Sequence, residues 1–195
     1  MPVGAGSRIV PITSGWWERW RAWREHRPPQ ALCHAALEVF SAAGRHVVEM
    51  GPAWGGGRGR SDPGQRGVVA TGPVGWAPLG GLRLFRYEVR CWRDGVLPDR
   101  AFAVAPPRVV ATSETDAMLL LERVAAVPRH TWGKDPGLTG DMWNSNALIS
   151  WLLETSGLES TPLGPPAGCR APGWRAGAIA AAGWVPRAPT RPRGS

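Results

Sequence analysis

The sequence predicts an α+β fold: an antiparallel sheet of about four to six strands packed against a central buried helix. Three observations carry this. Residues 82–92, LRLFRYEVRCW, alternate apolar and charged side chains with period two, the pattern of a half-buried strand. Residues 32–52 read as a hairpin, LCHAALEVF and RHVVEMGP joined by SAAG, with Gly44 free to adopt positive φ. Residues 113–127 and 144–156 have helical spacing and helix start signals.

In chain order, residues 1–30 form an N-terminal segment with a short Trp/Arg-rich helix over 14–26. Ser14 suits its N-cap, and Pro28-Pro29 ends it. Trp16, Trp20 and Trp23 fall on one face. Two readings stand: a stripe packed on the domain, which is the usual fate of such spacing, or an interfacial helix on an anionic membrane. Residues 31–185 form a single α+β domain. In the hairpin, alternation puts His34, Ala36 and Glu38 on one face of the first strand, with Ala35, Leu37 and Val39 on the other. On the second strand His46, Val48 and Met50 share a face, opposite Val47 and Glu49. Residues 53–66 are a Gly-rich loop without the GK[ST] ending of a phosphate cradle. GVVATG, within 67–76, is a short strand, and the phase slip near Phe85 in the next one marks a bulge or bend.

Ser113 and Asp116 make an acidic variant of a capping box for the helix over 113–127, which Pro128 stops. The helix over 144–156 ends at Gly157 and is apolar nearly all round, so it is expected to be central and buried. Residues 158–185 read as loop-rich with an Ala-rich run at 176–185, and 186–195 as a disordered basic tail.

Composition bounds the function. The chain has 195 residues, long enough to bury one sizeable core, and a net charge of +8 that is almost all arginine. That charge suits an anionic membrane surface or an acidic partner. It lacks a zinc-finger spacing, an RNP-like aromatic motif or a Lys/Arg arm, so no specific nucleic-acid motif is present. Three widely spaced cysteines, Cys33, Cys91 and Cys169, read as isolated thiols of a reducing compartment. With neither an apolar leader nor a membrane span in the sequence, the cytoplasm is the expected location.

The segment with the strongest chemical signal is Asn144-Ser145-Asn146. A nucleophile at a helix start feels the positive end of the dipole, and the amides there can hold an oxyanion. The ordinary alternative is an N-cap followed by a first-turn serine. A metal site built on Cys33, His34 and His46 lacks a fourth ligand, so neither a metal nor another cofactor is expected. His130 and Asp135 precede the serine helix and either line a site or sit on the surface. Glu49 reads as a buried acid near the site or as an exposed strand carboxylate.

His34 opens the strand HAALEV, and Asn144-Ser145-Asn146-Ala147-Leu148 follows much later. In order and spacing this resembles the permuted papain-like superfamily, specifically the lecithin:retinol acyltransferase-like and PPPDE-type families, over roughly His34 to Leu153. Their helix opens with Asn-Cys, so this chain has Ser at the nucleophile position. The resemblance implies a hydrolase or acyltransferase acting on an amide, ester or thioester of a small-molecule or peptide substrate. Ser145 would be its nucleophile, His34 its base and His46 the orienting partner, with Asn144, Asn146, Glu49 and His130 near the substrate. A serine hydroxyl does not ionise as a thiol does, so a Ser site depends on a well-oriented histidine. Two other functions remain in view: a non-catalytic binding module on this scaffold, and a peripheral membrane protein using its Arg/Trp surface.

Overall fold

The computed structural model describes residues 18–53, 67–97 and 100–185. The expectations for Ser14 and Trp16, for nearly all of the Gly-rich loop and for the basic tail lie outside them. The architecture is mixed α+β. Helix α1 is helical from residue 18 to residue 24. Strands β2 (Leu37–Ser41), β3 (Gly44–Pro52), β4 (Val68–Pro73) and β5 (Arg86–Arg93) form an antiparallel sheet in the order β2-β3-β5-β4. Strands β1 (Ala31–Leu32) and β6 (Cys169–Arg170) form a small parallel pair. Helices α2 (Glu114–Val124), α3 (Ser145–Thr155) and α4 (Trp174–Ala182) complete the set.

The hairpin forms where the sequence places it. Gly44 takes φ 109° at its turn, opposite Ser41. Leu37 and Val39 on β2, Val48 and Met50 on β3, and Tyr87 and Val89 on β5 present one apolar face, on which α3 packs. Tyr87 lies over Gly72, its partner on β4, where any Cβ would collide with the ring, so this position needs glycine. The phase slip near Phe85 is the junction between a 3-10 turn, Arg83–Phe85, and β5, so the strand starts later than its alternation suggests.

Ser113 accepts the Asp116 N–H at 3.0 Å and starts α2. Every residue of α3 from Ser145 to Leu153 is buried, because the sheet, α2 and α4 cover it from three sides. Its uniform apolarity follows from that position. Gly157, at φ 76°, terminates it, with the Leu158 N–H returning to Leu153 O.

Three expectations need correction. The first hairpin strand is not continuous: residues 34–36 leave the ladder between β1 and β2, because the backbone of 33–35 hydrogen-bonds to β6 and to an α3 side chain instead of a neighbouring strand. The stretch 158–185 is not mainly loop. It holds α4, whose Gly177 sits against Ala147 O and Ser150 Oγ of α3 at a distance that excludes any side chain. A glycine that weakens the local helix signal is here what lets two helices touch. Finally, the Trp face of α1 does not pack on the domain. Ala22 and Glu18 face inward, and Trp20 and Trp23 face out.

Candidate functional site

The N-terminus of α3 is built by convergence. Asn144 caps it, its Oδ1 accepting from Asn146 N at 2.9 Å and Ala147 N at 3.1 Å, while its Nδ2 donates to Pro172 O at 2.8 Å. The Asn146 side chain, only 2% exposed, reaches two distant segments. Its Oδ1 accepts the Ala35 N–H at 2.8 Å, and its Nδ2 donates to Cys33 O at 3.0 Å and Pro172 O at 2.9 Å. Asp141 Oδ2 then accepts the Gly173 N–H at 2.8 Å. Gly173 must be glycine: its φ is 90°, and a Cβ there would strike Asn144.

This clasp is closed covalently. Cys33 and Cys169 are disulfide-bonded, and the Cys33 N–H donates to Arg170 O at 2.8 Å. The expectation of three isolated thiols is therefore corrected, and with it the thiol argument for a reducing compartment. Wide sequence separation concealed a pair that the fold brings together. Cys91 is free, and burial raises its thiol pKa, which disfavours the thiolate. No helix among the described residues is long and apolar enough to cross a membrane.

The clasp places the segment carrying His34 beside the first turn of α3. Cys33 and Ala35, on either side of His34, both bond to Asn146, the neighbour of Ser145. By covalent and hydrogen-bond lengths the His34 and Ser145 Cα atoms lie no more than roughly 13 Å apart. Ser145 is the first residue of α3 and is 7% exposed. Of the first-turn amides, those of Asn146 and Ala147 are taken by the Asn144 cap, so only the Ser145 N–H is left by it. The several helix-start amides expected to be open to an oxyanion are thereby reduced to this N–H.

The strand register separates the two histidines. Leu37 pairs with Val48 and Val39 with His46. His46 therefore sits near the hairpin turn, opposite Val39, while His34 lies outside the ladder. Its Nδ1 is buried and has no hydrogen-bond partner among the described residues. The expected orienting role of His46 finds no support from that nitrogen. Glu49 follows Val48, the last β3 residue paired with β2. Glu49 is half-buried.

Asn144 and Asn146 were expected to contact substrate. The side-chain amides of both residues are instead committed to backbone groups, so they position the helix. His130 lies on the same side: its ring meets the buried Trp143 edge-on at 4.9 Å, and its carbonyl accepts the Tyr87 hydroxyl at 2.8 Å. Burial lowers its pKa, which favours the neutral imidazole. Burial also raises the Tyr87 pKa to about 12, so it stays a donor. Among the described residues no cluster of His, Cys, Asp and Glu could hold a metal.

Asp135 organises the loop leading into α3. Its Oδ1 accepts from Gly137 N, Thr139 N and Thr139 Oγ1, and its Oδ2 from Gly140 N. These donors, the Gly137 N–H foremost, lower its pKa from 3.8 to about 2. A depressed carboxylate stabilises the fold above its unfolded pKa, and that contribution is lost as pH falls. The Gly137, Thr139 and Gly140 amides are expected to lose hydrogen-exchange protection between about pH 4 and pH 2, and an Asp135→Asn variant to show no such step. Loss confined to higher pH would assign the loop's stability elsewhere.

Pro172, Gly173, Asp141 and the Cys33–Cys169 pair were missed from sequence. Only Gly173 carried a signal, as a glycine just before the Ala-rich run. No family model matches this chain, and neither a curated protein nor a solved structure does.

Proposed function

We propose that the start of α3 is a serine-based hydrolase or acyltransferase site of permuted papain-like type, acting on an amide, ester or thioester. The observation that supports this most is the Asn146 clasp, which holds the backbone on both sides of His34 against the helix turn that begins with Ser145. In the proposed reaction Ser145 Oγ forms a bond to the acyl carbon as its proton passes to His34. The bond to the leaving group then breaks, and the leaving group takes that proton. Water, or an acceptor nucleophile in acyl transfer, attacks the acyl-serine in the second half, giving its proton to His34, which returns it to Ser145 Oγ. The Ser145 N–H faces the developing oxyanion, and Glu49, half-buried on β3, orients the base in place of His46, whose buried Nδ1 has no hydrogen-bond partner among the described residues.

A fluorophosphonate probe tests this. The chain is expected to be labelled at Ser145 and the Ser145→Ala variant not at all. His34→Ala should slow labelling by roughly 100-fold or more, the usual worth of a general base. His130→Ala should stay near the unaltered rate, and Glu49→Gln should slow labelling more than His46→Gln. A folded sample that takes no label would overturn the serine chemistry. Equal loss in His34→Ala and His130→Ala would overturn the choice of base.

A further inference from the structure

Helix α1 has its polarity reversed relative to an ordinary surface helix. The face toward the domain carries Ala22 and Glu18, 1% and 3% exposed. The outward face carries Trp20 and Trp23, 51% and 75% exposed. The reversal has a physical cause. Glu18 is held inside by Arg27, at 2.5 Å, by Arg170 and by the Gln30 N–H. These contacts pin the helix to the β6 segment and fix which side looks out.

The unpaired charge around the two indoles is positive. Arg19 and Arg24 are exposed beside them, and neither is ion-paired among the described residues. The Arg24 guanidinium lies over the Trp20 ring at 5.1 Å. The nearby carboxylates are engaged with other cations: Glu25 with Arg21, Arg27 and Arg170, and Glu18 as above.

We infer that this face docks on an anionic lipid surface, with Trp20 and Trp23 at the headgroup level and Arg19 and Arg24 on the lipid phosphates. Indole is suited to that boundary, since it joins a large apolar body to one N–H donor. Arginine stems lie along apolar surface while the guanidinium stays in the polar layer. Among the described residues the helix covers residues 18–24, and a recess lined by Trp20, Arg21, Arg24 and Glu25 opens on this face. The net charge of +8 draws the whole chain toward anionic lipid. This docking does not rest on the serine chemistry.

Co-sedimentation of the full chain with vesicles tests it. Binding to phosphatidylglycerol/phosphatidylcholine vesicles is expected, with little on phosphatidylcholine alone and weaker binding as salt rises. Trp20→Ser/Trp23→Ser should lower the affinity at least about tenfold, and Arg19→Gln/Arg24→Gln by roughly fivefold per arginine. All four side chains are exposed, so an unchanged unfolding transition confirms that the variants fold. Ser145→Ala should bind as the unaltered chain does. No adsorption to anionic vesicles, equal adsorption to neutral ones, or undiminished adsorption by the double Trp variant would each overturn the proposal.

Discussion

An Asn146→Ala variant is expected to unfold with about 3 kcal/mol less free energy than the unaltered protein, near the upper end for single substitutions. The side chain makes three hydrogen bonds at 2.8 to 3.0 Å in a buried site. Pro172 O keeps a second donor in Asn144, so it is not orphaned. Cys33 O and the Ala35 N–H lose the Asn146 partner, and each unsatisfied buried group costs about 1–3 kcal/mol. Asn144→Ala, losing a cap, should cost only about 1–2 kcal/mol. Chemical denaturation of the two variants checks the order. If Asn146→Ala were the milder, the segment around His34 would not depend on α3 for its position, and the support for the serine site would go with it. Asn146→Asp is no rescue, because it keeps the acceptor for Ala35 and loses both donors.

Breaking the Cys33–Cys169 bond should be comparably costly. The pair closes a loop spanning 136 residues of sequence separation. Cross-links of that span restrict the unfolded chain by close to 5 kcal/mol in the entropy model, and measured losses run nearer 2–4 kcal/mol. Cys33→Ser, Cys169→Ser and the double variant should therefore each lose about 3 kcal/mol, with the double no worse than either single, since one bond is removed in all three. A dithiol reductant should reproduce the shift in the unaltered protein and have no effect on the double variant. Independent, additive losses would show that the two sulfurs are not bonded in solution. The same reduction is expected to slow Ser145 labelling, because Cys33 adjoins His34 and its carbonyl is one of the groups Asn146 holds.

The two variants act on one structure from two sides. The clasp joins residues 31–35, the turn opening α3 and the segment 169–173. None of these contacts is local, and together they bring a histidine segment to a serine more than a hundred residues away.

What the sequence determined by itself was local. The α2 cap, the length and burial of α3, the Gly44 turn and the core faces of β2, β3 and β5 were all legible, because each depends on a window of a few residues whose period or start signal is its own cause. The place of Ser145 was legible for the same reason: Asn144 caps a helix, so Ser145 begins it. Tertiary structure decided the rest. Register set His46 opposite Val39 near the hairpin turn, since alternation gives the face of a strand and not its offset from a partner. The disulfide and the β1–β6 pair depend on which distant edges remain to be satisfied. Gly177 reads locally as a helix breaker and in the fold as the point where α4 meets α3. For α1, helical spacing grouped Trp20 and Trp23 on one face, and both are exposed. Which face turned inward was set by buried ion pairs from Glu18 to Arg27 and Arg170, and Arg170 lies 152 residues further along the chain.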